Sequence, residues 1–186
     1  MKLTLNTLTL LAVLASPAAS AVEYRAVLPA QSAIGFNFSQ MGVSIKGGFK
    51  RFVVQMVFDP ARPEAGRAQI DIDLASIDAG SSEANEESAG RLWFNRSVYP
   101  RAQFVTSQVR SLGGNRYEMR GTLTLKGRSR EMVVPVTFTP GKSAAIFEGA
   151  FVLKRLDFGI GEGMWADIAT VANEVRVNFR IAVIGK

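Results

Sequence analysis

The chain has 186 residues with a formal net charge of +6, no cysteine and no histidine. Those two absences exclude a thiolate nucleophile, a Ser-His-Asp triad, disulfide staples, histidine-ligated zinc and histidine- or cysteine-ligated haem. The 22 basic and 16 acidic residues are spread along the chain, which reads mainly as a solvated surface.

Residues 1–21, MKLTLNTLTLLAVLASPAASA, carry one charge, Lys2, then an apolar stretch to about Leu14, and end in the small-x-small site Ala19-Ser20-Ala21. This pattern predicts a secretory signal peptide cleaved after Ala21 and a periplasmic mature protein. The stretch is too short for a spanning helix, which needs about 20 mostly apolar residues. Residues 22–186 are then one domain of 165 residues (186 − 21) carrying +5 once Lys2 is lost. Export disfavours nucleic acid as a partner. Local basic groups at Lys46/Lys50/Arg51 and Lys126/Arg128/Arg130 leave transient contact with a membrane surface open, and a homodimer stays open too.

Alternation dominates the rest, clearest in residues 69–76, 116–125 and 174–183 and softer elsewhere, and a period of two puts alternate side chains on one face of a sheet. YRAVL (24–28) opens the series, followed by AIGFNF (33–38) and FVVQMVF (52–58). QIDIDLAS (69–76) sets Ile70, Ile72 and Leu74 against Asp71 and Asp73. AQFVTSQV (102–109), RYEMRGTLTL (116–125), REMVVPVTF (130–138), FEGAFVL (147–153) and EVRVNFRIAV (174–183) continue it. Pro135 lacks a ladder N–H and predicts an edge or a bulge. One segment, SSEANEESAGRLWF (81–94), reads as a short helix near 82–93, with Ser82 as its N-cap and glutamates in the first turn. The fold class expected is all-β: an antiparallel barrel of about eight strands with one short helix, wide enough for its own side chains or one small ligand.

The stretch FGIGEGMW (158–165) spaces its glycines like a phosphate loop. A new strand follows soon after it, so no long helix N-terminus is available to receive a pyrophosphate. The glycines are read as a bend. Arg155 and Asp157 suggest a structural ion pair, and Glu162 and Asp167 a carboxylate pair of unfixed separation.

Four passages in order resemble the YceI family of lipocalin-like, polyisoprenoid-binding periplasmic proteins: YRAVLPAQSAIGFNFSQMGVSIKGGFKRF, WFNRSVYPRAQFVTSQV, GTLTLKGRSREMVVPVTF and FVLKRLDFGIGEGMWADIATVANEVRVNFRI. The resemblance implies an elongated eight-stranded antiparallel barrel around a lipid-chain cavity. It also implies binding of an isoprenoid, quinone-like or otherwise, or of a fatty amphiphile. Many members carry histidine where this chain has Gln31 and Gln40, and in the helix, so no role resting on those histidines operates here. Candidate ligand-binding residues are Phe36, Phe38, Phe49, Phe52, Phe104, Phe151, Phe158, Met164 and Trp165, with Phe58 and Phe179 as further wall candidates. No catalytic group, metal or cofactor is expected, and the protein is read as a binding protein rather than an enzyme. The competing reading is a non-catalytic interaction or stress-response module whose barrel is filled by its own side chains; a carboxylate hydrolase ranks last.

Overall fold

The structure, a computed structural model, describes residues 22–185, so the leader expected over residues 1–21 lies outside the described residues. Eleven strand segments form one antiparallel sheet: β1 Tyr24–Val27, β2 Ala33–Gln40, β3 Val43–Phe49, β4 Phe52–Val57, β5 Arg67–Asp73, β6 Ile77–Asp78, β7 Arg101–Ser111, β8 Arg116–Leu125, β9 Arg128–Thr139, β10 Ala145–Lys154 and β11 Glu174–Gly185. The spatial order is β4-β5-β7-β8-β9-β10-β11-β2-β3-β6, with β1 also paired to β11. Eleven segments reduce to eight long strands. β1 and β2 both run along β11, broken by a turn at Pro29–Gln31. β3 and β4 are separated only by Lys50-Arg51, and β5 and β6 by the turn Leu74–Ser76.

These breaks let one sheet have two different ends. At one end the circuit closes, because Tyr24 and Phe58 exchange backbone hydrogen bonds between β1 and the end of β4 (2.8 and 3.1 Å). At the other end the sheet curls only part of the way round, and β6, two residues long, pairs with β3 alone. Helix α1 (Ser82–Ala89) and the turns after it lie on that side.

The closed end is packed solid. Phe58 sits within 5.1–5.4 Å of the rings of Tyr117, Phe138 and Phe147, and Tyr24 lies edge-on to Phe138. Burying side chains of this size contributes about 1.5–3 kcal/mol each, in a chain that has no disulfide to add to its packing. The alternation in β11 spans both halves: Phe179, Ile181 and Val183 enter the packed end, while Val175 and Val177 face the hollow one.

Several sequence expectations need adjustment. β3 was not among the expected strands, since VSIKGGF breaks alternation at Gly47-Gly48. Gly47 lies opposite Phe36, and a Cβ there would collide with the Phe36 ring and the Asp78 carbonyl. The helix cap is Ser81 rather than Ser82: its Oγ accepts from the Ala84 N–H at 3.2 Å. The helix also stops at Ala89, with Gly90 capping it, so Leu92, Trp93 and Phe94 lie in turns. Pro135 does mark an edge. β9 pairs with β8 from Arg128 to Thr137, but its pairing with β10 covers only Val136 to Thr139 and stops short of Pro135.

Candidate functional site

The open end encloses an apolar chamber of about 530 Å³. Its floor is Ile34, Phe49 and Ile72, where the packed cluster begins; Phe36, Phe38, Phe151, Leu123, Leu125, Val175 and Val177 form the sheet walls. Trp93, Phe94, Ile160, Trp165 and Val171 close the side that the sheet leaves open. The rim is polar, with Gln40 from β2 and Ser81, Glu83 and Glu87 from α1. Period-two alternation delivers the strand residues, because Ile34, Phe36, Phe38 and Gln40 are successive inward positions of β2.

Of the nine candidate residues, Phe36, Phe38, Phe49, Phe151 and Trp165 line this chamber. The other four do not. Phe52 packs against the closed-end core and borders an outer cleft, and Phe104 packs between the two core clusters with its ring over Gly121. Phe158 is buried in a separate cluster with Leu74, Ala102, Leu123, Leu125 and Ile160. Met164 points to solvent, 78% exposed. Phe58 and Phe179 belong to the packed end. Phenylalanine count alone does not say which end of a barrel a ring enters; strand register does. Trp93, Phe94, Ile160 and Val171 were missed because they come from turns, where no periodicity points inward.

One charged side chain organises the lid over the chamber. Arg155 is 2% exposed, and its guanidinium donates to five backbone carbonyls: Nε to Ala172 (3.1 Å), Nη1 to Ile160 and Gly161 (2.8 and 2.9 Å), Nη2 to Trp165 and Val171 (2.7 Å each). All five N–H donors are used. The expected pair with Asp157 does not form; carbonyls take its place, and burial holds the guanidinium pKa below its usual value. Trp93 lies over the guanidinium, 5.8 Å from it, and 5.6 Å from the Trp165 ring. Gly161 has φ 74°, and a Cβ there would strike Arg155 Nη1. The glycine-rich stretch therefore folds a strap around an arginine and leads into a short turn, Gly163–Ala166, not into an α-helix.

The carboxylates are employed structurally. Glu162 accepts from Lys126 and Arg128 at 3.0 Å each, and the Lys126 hydrogen bond above all holds its carboxyl below the ordinary range. Asp167 caps its own turn through Ala169 N–H (3.0 Å) and the Thr170 hydroxyl (2.8 Å), which lowers its pKa in turn. They do not form a pair. No cluster of three or more metal-ligating side chains occurs among the described residues. Glu87 accepts from Trp165 Nε1–H at 2.9 Å, tying α1 to the strap. The indole N–H of Trp93, also a wall residue, is buried without a partner.

A second, larger concavity of about 1190 Å³ lies on the outer surface at the strand breaks. It is open, and its charges largely satisfy one another: Lys50 pairs with Asp78 (3.2 Å) and Arg51 with Asp73 (2.8 Å). Enclosure and an apolar lining are what a ligand site needs, so the smaller chamber is the stronger candidate.

The family described as "YceI-like domain" matches residues 26–183. A UPF0312 protein of Vibrio cholerae serotype O1 is 31% identical over 169 residues, covering 86% of this chain and 89% of the relative. The crystal structure of BcnA of Burkholderia cenocepacia is similar at a TM-score of 0.82 and 40% identity, over 84% of this chain and 98% of that one. A polyisoprenoid binding domain from Saccharophagus degradans, implicated in plant cell wall breakdown, superposes with a TM-score of 0.68 at 17% identity, over 90% of this chain and all of that one, which is a likeness of fold.

Proposed function

This chain belongs to the YceI-like domain family, and from that premise we propose that it is a binding protein that holds the tail of an isoprenoid, quinone-like or otherwise, or of another long-chain amphiphile. One observation carries the reading: the barrel is solid at one end and hollow at the other, with an apolar chamber behind a polar rim. A filled barrel would suit a pure interaction module, and that description fits only the closed half. The family resemblance and the fold shared with the polyisoprenoid binding domain of Saccharophagus degradans support a lipid ligand.

Size sets what fits. At about 30 Å³ per water-sized group, 530 Å³ seats about 18 non-hydrogen atoms, which is three isoprene units and part of a fourth. A longer chain leaves its remainder outside. Fifteen buried carbons at about 0.8 kcal/mol each give about 12 kcal/mol before association costs of at least about 4 kcal/mol. Affinity in the micromolar range or weaker follows. The activity in this reading is retention and release rather than turnover.

Export accompanies this reading. Lys2, the apolar stretch and Ala19-Ser20-Ala21 support cleavage after Ala21 and a periplasmic location, and the intact mass of the secreted protein, starting at Val22, tests it. The binding claim is tested by native mass spectrometry and lipid extraction of protein purified from its own compartment. One amphiphile per chain is expected; protein that is free of lipid, and that takes up none when offered farnesol, would overturn it.

A further inference from the structure

We propose that the rim of the chamber is a docking surface for a neutral or zwitterionic lipid bilayer; the inference rests on the chamber being a lipid site. Among the described residues the four most exposed large apolar side chains are Met164 (78%), Met41 (77%), Val43 (63%) and Ile168 (62%). They occupy two adjoining tips. Met41 and Val43 belong to the β2–β3 hairpin, whose turn is the tight pair Met41-Gly42 with φ of 50° and 80°. Met164 and Ile168 belong to the strap. The tips are fastened together, since Met41 N–H donates to the Thr170 carbonyl and Ala172 N–H to the Ser39 carbonyl, both at 2.9 Å.

Each exposed side chain is a near neighbour in sequence of a chamber residue. Gln40 precedes Met41, Trp165 follows Met164, and Val171 lies three residues after Ile168. The apolar tips are thus continuous with the entrance. With them in the acyl region, a tail passes from bilayer to chamber without crossing water. Solvent-facing methionine and isoleucine at the entrance of a closed-bottomed lipid chamber have that use.

Charge decides the kind of surface. Residues 39–45, 81–90 and 160–173 contain no lysine or arginine, but they contain Glu83, Glu86, Glu87, Glu162 and Asp167. Glu162 is neutralised by Lys126 and Arg128, and the others leave the entrance acidic. Of the basic groups that suggested membrane attraction from the sequence, Lys46, Lys50 and Arg51 line the outer cleft, and Lys126 and Arg128 are engaged by Glu162. Attachment to neutral or zwitterionic lipid is therefore driven by apolar insertion and insensitive to salt, and it weakens as anionic lipid is added.

The test is flotation with phosphatidylcholine vesicles, with and without 30% phosphatidylglycerol as a rough membrane-like fraction, for wild type and the doubly substituted Met41→Ser/Ile168→Ser protein. Farnesol binding from detergent micelles is measured for both. The substituted protein is expected to float at least tenfold less, to take farnesol from micelles as wild type does, and to take it from vesicles at least tenfold more slowly. Val43→Thr, a milder change on the same tip, is expected to fall between. Wild type that does not float, floats only with phosphatidylglycerol, or floats equally after substitution overturns the proposal. So does a wild type that instead doubles its mass in sedimentation and loses that on substitution, because the tips would then be a self-association face. Failure of both proteins to bind farnesol from micelles would instead strike the proposed function.

Discussion

Replacing Arg155 with methionine removes the post around which residues 160–172 are wrapped. The five N–H donations, at 2.7–3.1 Å to carbonyl oxygens, are each of the charge-assisted kind, worth about 1.5–3 kcal/mol net, or about 7–15 kcal/mol summed. Burying a guanidinium takes back several kcal/mol of that. Removing it nevertheless strands carbonyls that have no other donor nearby, so the expected net loss is about 3–5 kcal/mol, the range for breaking a buried charged network. For a chain of this size that lowers the melting temperature by about 6–20 °C, readable by thermal circular dichroism. Arg155→Lys keeps the charge but offers three donors and no planar fork, so most of the loss should remain. The strap also carries Trp165 and Val171 into the chamber wall, so farnesol binding should fall with the melting temperature. Melting within about 2 °C of wild type for Arg155→Met would refute the argument, and full rescue by lysine would show that charge matters, not the carbonyl geometry.

Phe38→Trp should narrow the chamber and reduce farnesol uptake severalfold, with an overpacking cost of about 1–3 kcal/mol; unchanged uptake in a calorimetric titration would place Phe38 outside the site. Gly47→Ala pushes a methyl into the Phe36 ring and should cost a similar amount, so a neutral effect on urea denaturation would show that the ring moves freely. Ser81→Ala removes the α1 cap and should cost about 1 kcal/mol, checked by the same denaturation curve. Glu162 has its carboxyl lowered in the fold, so its contribution is present above the ordinary value of 4.5 and lost as pH falls through the folded one. Glu162→Gln should therefore destabilise by less than about 1 kcal/mol at neutral pH, given its partial exposure, and the gap should close in acid. A gap that widened in acid would contradict the pairing with Lys126.

The strand content was legible because alternation is a property of single segments. QIDIDL and EVRVNFRI can satisfy a half-buried sheet in one register only, since a slip by one residue would bury Asp71 or Arg176. β3 escaped because Gly47 and Gly48 carry no side chain to alternate; Gly47 is small for the sake of Phe36, its cross-strand partner eleven residues earlier. The chamber was legible in its sheet walls, where Phe36, Phe38 and Phe151 hold inward positions. It was not legible in its lid. Trp93, Phe94 and Ile160 reach the chamber through turns, and Arg155 acts on carbonyls, which have no sequence signature. Phe158 and Met164 were grouped with Trp165 as loop neighbours, yet the positive-φ glycines at 159, 161 and 163 send the three side chains to a core, to solvent and to the chamber respectively.

Both tryptophans of the chain, Trp93 and Trp165, line the chamber, 5.6 Å apart, so intrinsic fluorescence reports its occupancy without a label. Titration with a benzoquinone bearing a three-unit prenyl tail tests the central claim most directly, because the quinone quenches an indole it touches. The account predicts saturable quenching with one site per chain and a Kd in the micromolar range or weaker, abolished by competing farnesol. Quenching that rises linearly without saturation, as it does for free tryptophan in solution, would contradict it.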